Sequence, residues 1–139
     1  MSKRLNSSTL TEFVDVKTSA FILRLSAFLM IFCHGYGKVM NVLSGNFQFG
    51  DPIGLGPEIS LILAALAEGI GALMVLLGFW TRLGALLLII NMAVAVFFYH
   101  IPAGDNLGGM ELPLLYLLVF TVVFLLGPGK FSFDNSSRS

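Results

Sequence analysis

The chain has 139 residues, 56% of them hydrophobic and 12% charged, with a mean hydropathy of +0.88. Soluble globular chains carry about a quarter charged residues; this composition, gathered into long apolar runs, excludes an ordinary soluble domain and makes lipid the solvent for most of the chain. Eight Lys and Arg balance eight Asp and Glu, so no basic face is available for the phosphates of a nucleic acid, and the single Cys33 excludes an intramolecular disulfide or a C-x-x-C pair for dithiol, zinc or iron–sulfur chemistry.

Residues 1–18 are polar and mixed in charge, and read as a cytoplasmic tail in which Leu10, Phe13, Val14 and Val16 are able to lie on the membrane surface. No secretory signal is expected, because the first apolar run starts late, is long and lacks a small-x-small cleavage site. Crossing a hydrocarbon core takes roughly 20 apolar residues, and four windows meet or approach that length: 19–40, 59–79, 82–101 and 110–126. The expected fold is all-α, an integral membrane four-helix bundle running up-down-up-down over residues 19–134, followed by a short tail, 135–139.

The connections carry their own signals. Phe79-Trp80-Thr81-Arg82 is so short that the second and third helices must be antiparallel neighbours, with Thr81 as the expected N-cap. The loop 41–58 is rich in Gly, Pro, Asn and Asp, a composition suited to covering the mouth of the bundle. Pro102 is expected to end the third helix, and Gly127-Pro128-Gly129 the fourth. An even number of spans puts both termini on one side, where Lys3, Arg4, Lys17, Arg24, Arg82, Lys130 and Arg138 gather against Lys38 alone on the other. The positive-inside rule then makes the terminal side cytoplasmic and the membrane the inner membrane of a cell.

Within these apolar windows the polar residues carry the chemical signal. Glu68 lies about 13 Å inside the second window, where an ionised acid costs several kcal/mol unless paired. The small-residue stripe Ala64, Glu68, Gly71, Val75, Gly78 aims it at neighbouring helices. One reading makes it a structural carboxyl that fixes helix register; the other makes it a proton carrier or substrate contact. His34 and Lys38, four residues apart, share a helix face, and with Glu68 form an expected cluster able to hold an anionic or quinonoid oxygen and pass it a proton. The alternatives are a Lys38 that snorkels to the interface and a His34 that bonds a carbonyl.

Asn91, on the stripe Gly84, Leu88, Asn91, Ala95, Phe98, is the expected partner of Glu68 across the second and third helices. His100 is half a turn out of phase with Asn91 in a straight helix, so only unwinding before Pro102 would turn it inward. Glu111, with Pro113 behind it, fits a helix N-terminus compensated by a carboxylate and a first-turn proline. Arg24 and Arg82 read as cations of the inner side that snorkel or anchor at headgroups. Cys33 is expected to be a buried, inert thiol. No phosphate loop, nucleophile elbow, metal-ligand spacing, or haem or flavin motif is present.

Taken together, Arg24 with His34-Gly35-x-x-Lys38, Glu68-Gly69-x-Gly71, Gly78-Phe79-Trp80-Thr81-Arg82, His100-x-Pro102, Glu111-x-Pro113 and Gly127-Pro128-Gly129-Lys130-x-Ser132-x-Asp134 form a pattern. It resembles the DoxX family of small bacterial and archaeal membrane proteins. The family takes its name from a subunit of a thiosulfate:quinone oxidoreductase. The resemblance implies a four-helix membrane bundle with a quinone-linked redox role; the expected pocket, open to the outer face, is lined by His34, Lys38, Glu68 and Asn91, and the family match is what adds His100 and Glu111 to it. Electrons would come from a redox partner protein or a bound donor. Two other readings stay open: a non-enzymatic assembly or partner-docking protein, and a small proton-coupled transporter, for which a homo-oligomer would create a path between subunits.

Overall fold

A computed structural model of the chain describes residues 15–137. The reading of Leu10, Phe13 and Val14 as a surface-lying tail, and the placement of Lys3, Arg4 and Arg138, fall outside these residues. Four helices are long and apolar enough to cross a membrane: α1 (Val16–Ser44), α2 (Pro57–Leu77), α3 (Thr81–Ala103) and α4 (Leu107–Leu126). A short α5 (Phe133–Ser136) follows. Consecutive helices pack as neighbours and α4 closes back on α1, so short connections and an even number of spans give the up-down-up-down bundle that the windows predict. The core, among it Met30, Val75, Leu88, Phe120 and Val123, fills the half nearer the termini. Phe32, Ile70, Phe97 and Leu118 form part of an apolar perimeter.

Helix ends differ from the windows for identifiable reasons. α1 starts at Val16, inside the expected tail, because the Asp15 carboxylate accepts from the Lys17 N–H at 3.1 Å and caps it. Pro57 opens α2, where its missing N–H costs nothing. Pro102 does not end α3; the helix continues to Ala103 and stops at Gly104, whose φ of 77° is left-handed. α4 starts at Leu107 with Asn106 as N-cap, so Pro113 lies inside the helix and not in its first turn.

Thr81 is not the N-cap of α3. Trp80 holds that position at φ 46°, and the cap is supplied from far along the chain. The Asp134 carboxylate accepts from Trp80 N–H at 2.8 Å, Thr81 N–H at 2.9 Å and the Thr81 hydroxyl at 2.7 Å.

α1, α2 and α3 each contain one π-helical segment, at Ile31–Gly35, Leu66–Gly71 and Ala95–His100. Hydrogen bonds from i to i+5 put roughly one extra residue into the turn, which rotates everything beyond it by about 100° relative to an unbroken α-helix. Glu68 lies inside one of these segments and His34 and His100 inside the other two.

Candidate functional site

Glu68 sits near the middle of the 21-residue α2, and is 5% exposed. All five residues of its small-residue stripe are buried. Its carboxylate is held from two sides: Lys38 Nζ of α1 donates to Oε2 at 2.5 Å, and Asn91 Nδ2 of α3 donates to Oε1 at 2.7 Å. The Asn91 partnership expected from the two stripes is therefore present. Lys38 does not snorkel away; an intramembrane acid within reach makes pairing the cheaper course.

Glycine makes this reach possible. A Cβ on Gly35 would collide with the Glu68 carbonyl, and one on Gly69 would come 2.7 Å from Val39 Cγ2, so α1 and α2 touch backbone to backbone beside the carboxylate. α2 and α3 approach as closely one turn on, where a Cβ at Gly84 would lie 2.6 Å from the Gly71 carbonyl oxygen.

Lys38, Glu68 and Asn91 lie on the wall of a cavity of about 790 Å³ between α2 and α3. Leu63, Ala64, Leu87 and Val94 supply much of its apolar wall, and Gln48, Phe49, Gly50, Pro52 and Ile53 come from the loop between α1 and α2. That loop thus covers the mouth, as its composition predicts. It is tied down by the Ser60 hydroxyl donating to Asp51 at 3.1 Å and by Gly50, where an added Cβ would lie 3.2 Å from the Tyr99 ring.

His100 lines the same cavity, with Nδ1 2.7 Å from Asp105 Oδ2. The half-turn offset from Asn91 fails because Ala95–His100 is π-helical; the same rotation leaves Phe98, the last residue of the expected stripe, 56% exposed.

Two of the expected site residues are elsewhere. His34 is absent from the cavity wall, and its ring lies edge-on to Tyr116 of α4 at 6.0 Å. Its π-helical segment breaks the four-residue alignment with Lys38, so the expected cluster reduces to Lys38 and Glu68, joined by Asn91. Glu111 is exposed on α4 and also absent from the wall, five positions into a helix that starts before it. Cys33, expected to be buried, is exposed.

The residue most misjudged from the sequence is Arg24. It is 1% exposed and does not snorkel. Nε donates to the Val75 carbonyl at 2.8 Å, Nη1 to Pro128 and Lys130 at 2.9 and 2.8 Å, and Nη2 to Leu76 and Phe131 at 2.8 and 3.1 Å. Carbonyls left over at the end of α2 and along the chain after α4 are satisfied by all five donors of one guanidinium. Arg82 likewise donates through Nε to the Phe124 carbonyl of α4 at 3.1 Å. The only sequence signal for this latch is Gly78, where a Cβ would collide with Ser132.

Helix number, apolar length and the intramembrane carboxylate with its two partners define an integral membrane four-helix bundle. The family model described as DoxX matches residues 19–101, covering α1 to α3 up to the end of the cavity wall, and the chain belongs to the DoxX family. It is 34% identical over 122 residues to an uncharacterized protein of Haemophilus influenzae, a match covering 81% of this chain and 86% of that one. A second uncharacterized protein of the same organism is 33% identical over 91 residues, 63% of this chain and 60% of that one. No solved structure matches the chain.

Proposed function

We propose that the protein is a quinone-linked subunit of a membrane oxidoreductase, and that the cavity between α2 and α3 receives the ring of a quinone. The observation that carries this reading is a buried carboxylate, cross-linked to an ammonium and an amide, at the wall of a largely apolar cavity. A structural ion pair alone has no need of such a space, and intramembrane ionisable groups facing a cavity are characteristic of ligand and proton sites. The dimensions and chemistry fit: about 790 Å³ lies within the range of small-molecule sites, and a mostly apolar wall carries a few polar groups, Lys38, Glu68 and Asn91 deep in it and Gln48 and His100 at the loop end.

A quinone bound there accepts two electrons and two protons, the electrons coming from a reduced partner protein. Lys38 Nζ, partly exposed on the wall, donates a hydrogen bond to a ring oxygen and is positioned to release a proton to it. Glu68 holds that ammonium in place, and Asn91 fixes the second carboxylate oxygen so that the acid cannot swing away. His100, at the loop end of the cavity and paired with Asp105, gives access to protons from water. With the terminal side cytoplasmic, those protons come from the outer face.

One observation favours a purely structural alternative: Glu68 has a partner on each oxygen, and no buried side-chain polar atom among the described residues lacks one. Transport is disfavoured by the packed core of Val75, Leu88, Phe120 and Val123 on the terminal side of Glu68. The test is retention of quinone by protein purified in mild detergent, measured by mass spectrometry. The parent is expected to retain quinone and Glu68→Gln to lose it while remaining folded. Equal retention, or none in either, supports the structural alternative.

A further inference from the structure

The terminal side carries a second cavity, of about 560 Å³, that the quinone reading does not use. It lies where the first turn of α1, the α2–α3 turn and the chain after α4 meet, and two cations, Lys17 and Arg82, line it with one carboxylate, Asp134. Asp134 turns its oxygens to the start of α3. Among the described residues Arg82 donates only through Nε, and its two terminal nitrogens make no hydrogen bond. The Lys17 ammonium makes neither a hydrogen bond nor an ion pair among the described residues. Nearby Lys130 differs, being paired with Asp15 at 2.8 Å.

The same cavity changes character towards the membrane interior. Leu83, the residue after Arg82 in α3, and Leu126, at the end of α4, line it and are 44% and 38% exposed. Trp80, on its rim and stacked on Phe79 at 5.6 Å, marks the level at which indole rings sit among headgroups. Unspent cationic donors at headgroup depth therefore stand beside open aliphatic surface.

We propose that this cavity binds an anionic phospholipid, its phosphodiester accepting from the Lys17 ammonium and the terminal nitrogens of Arg82, its acyl chains lying on Leu83 and Leu126. Basic pockets between helices at a membrane face recognise lipid headgroups in this way. Free phosphate shares the headgroup chemistry but makes no use of the aliphatic wall.

The test is native mass spectrometry and thermal unfolding of the full chain in mild detergent, with added phosphatidylglycerol, phosphatidylcholine or inorganic phosphate. Phosphatidylglycerol is expected to be retained and to stabilise, phosphatidylcholine and inorganic phosphate not. A cation at the membrane surface contributes about fivefold in affinity, so Lys17→Gln is expected to weaken phosphatidylglycerol retention about fivefold and the double Lys17→Gln, Arg82→Gln variant about 25-fold. Lys17→Gln removes no hydrogen bond or ion pair among the described residues, and thermal unfolding without added lipid separates a loss of retention from a folding defect. Equal retention of the two phospholipids, or undiminished retention by Lys17→Gln, would overturn the proposal. Stabilisation by inorganic phosphate equal to that by phosphatidylglycerol would overturn the lipid assignment.

Discussion

A guanidinium inside an apolar bundle is tolerated when every donor is satisfied, and Arg24 meets that condition with five main-chain carbonyls from two segments. Lysine has three donors and no planar fork, so Arg24→Lys removes at least two of the five hydrogen bonds. Among the described residues only Val75 of these carbonyls also accepts elsewhere, from the Gly78 N–H, so at least one is left without a partner, at about 1–3 kcal/mol. Unfolding titrations in SDS should therefore show a large loss of stability even though charge is conserved. At the membrane surface the Asp15 carboxyl is held below its ordinary value, first by its bond with Lys130 and then by the Lys17 N–H. A depressed pKa means that the contribution is present above the unfolded value and is lost as pH falls through the folded one. A carboxyl titration followed by NMR should place the Asp15 midpoint below 3.8, and Lys130→Gln should move it back up.

At the scale of helices, paired glycines in α1 separate close approach from mere flexibility. Gly35 abuts the Glu68 carbonyl, whereas nothing lies within 4 Å of a Cβ on Gly37. Gly35→Ala is expected to force α1 from α2 at about 1–3 kcal/mol, a typical cost of overpacking, and to weaken quinone retention by separating Lys38 from Glu68. Gly37→Ala should leave retention unchanged and stability unchanged or slightly raised. The cap that Asp134 supplies to α3 makes a similar comparison: Asp134→Ala should cost about 1–2 kcal/mol in the same SDS titration. Both effects depend on contacts between segments distant in sequence, which is why Thr81, a good local cap by residue type, was not the one used.

Across the whole molecule, what was legible in the sequence is what one helix or two adjacent helices decide alone. Apolar length fixed the four spans, and Asn91 of α3, which precedes the π-helical turn of its helix, meets Glu68 as its spacing predicts; the small residues Ala64, Gly71, Val75 and Gly78 of α2 stay buried even though the π-helical turn Leu66–Gly71 lies among them. The same spacing misplaced His34, His100 and Phe98, because π-helical turns at Ile31–Gly35 and Ala95–His100 leave no residue-type signature yet rotate a helix face. Arg24 was misread because its partners are main-chain carbonyls, which any sequence supplies. A quinone ring lying against Lys38, Glu68 and Asn91, as proposed, is open to photolabelling. The protein in native membranes would be irradiated with an azidoquinone, with and without excess unmodified quinone, and its labelled peptides mapped. Competed labelling is expected to be confined to the stretches around 63–70 of α2 and 87–100 of α3, undiminished in His34→Ala and lost in Glu68→Gln. Competed labelling at His34 or Tyr116, which are not on the cavity wall, or uncompeted labelling spread along the apolar perimeter, would contradict it.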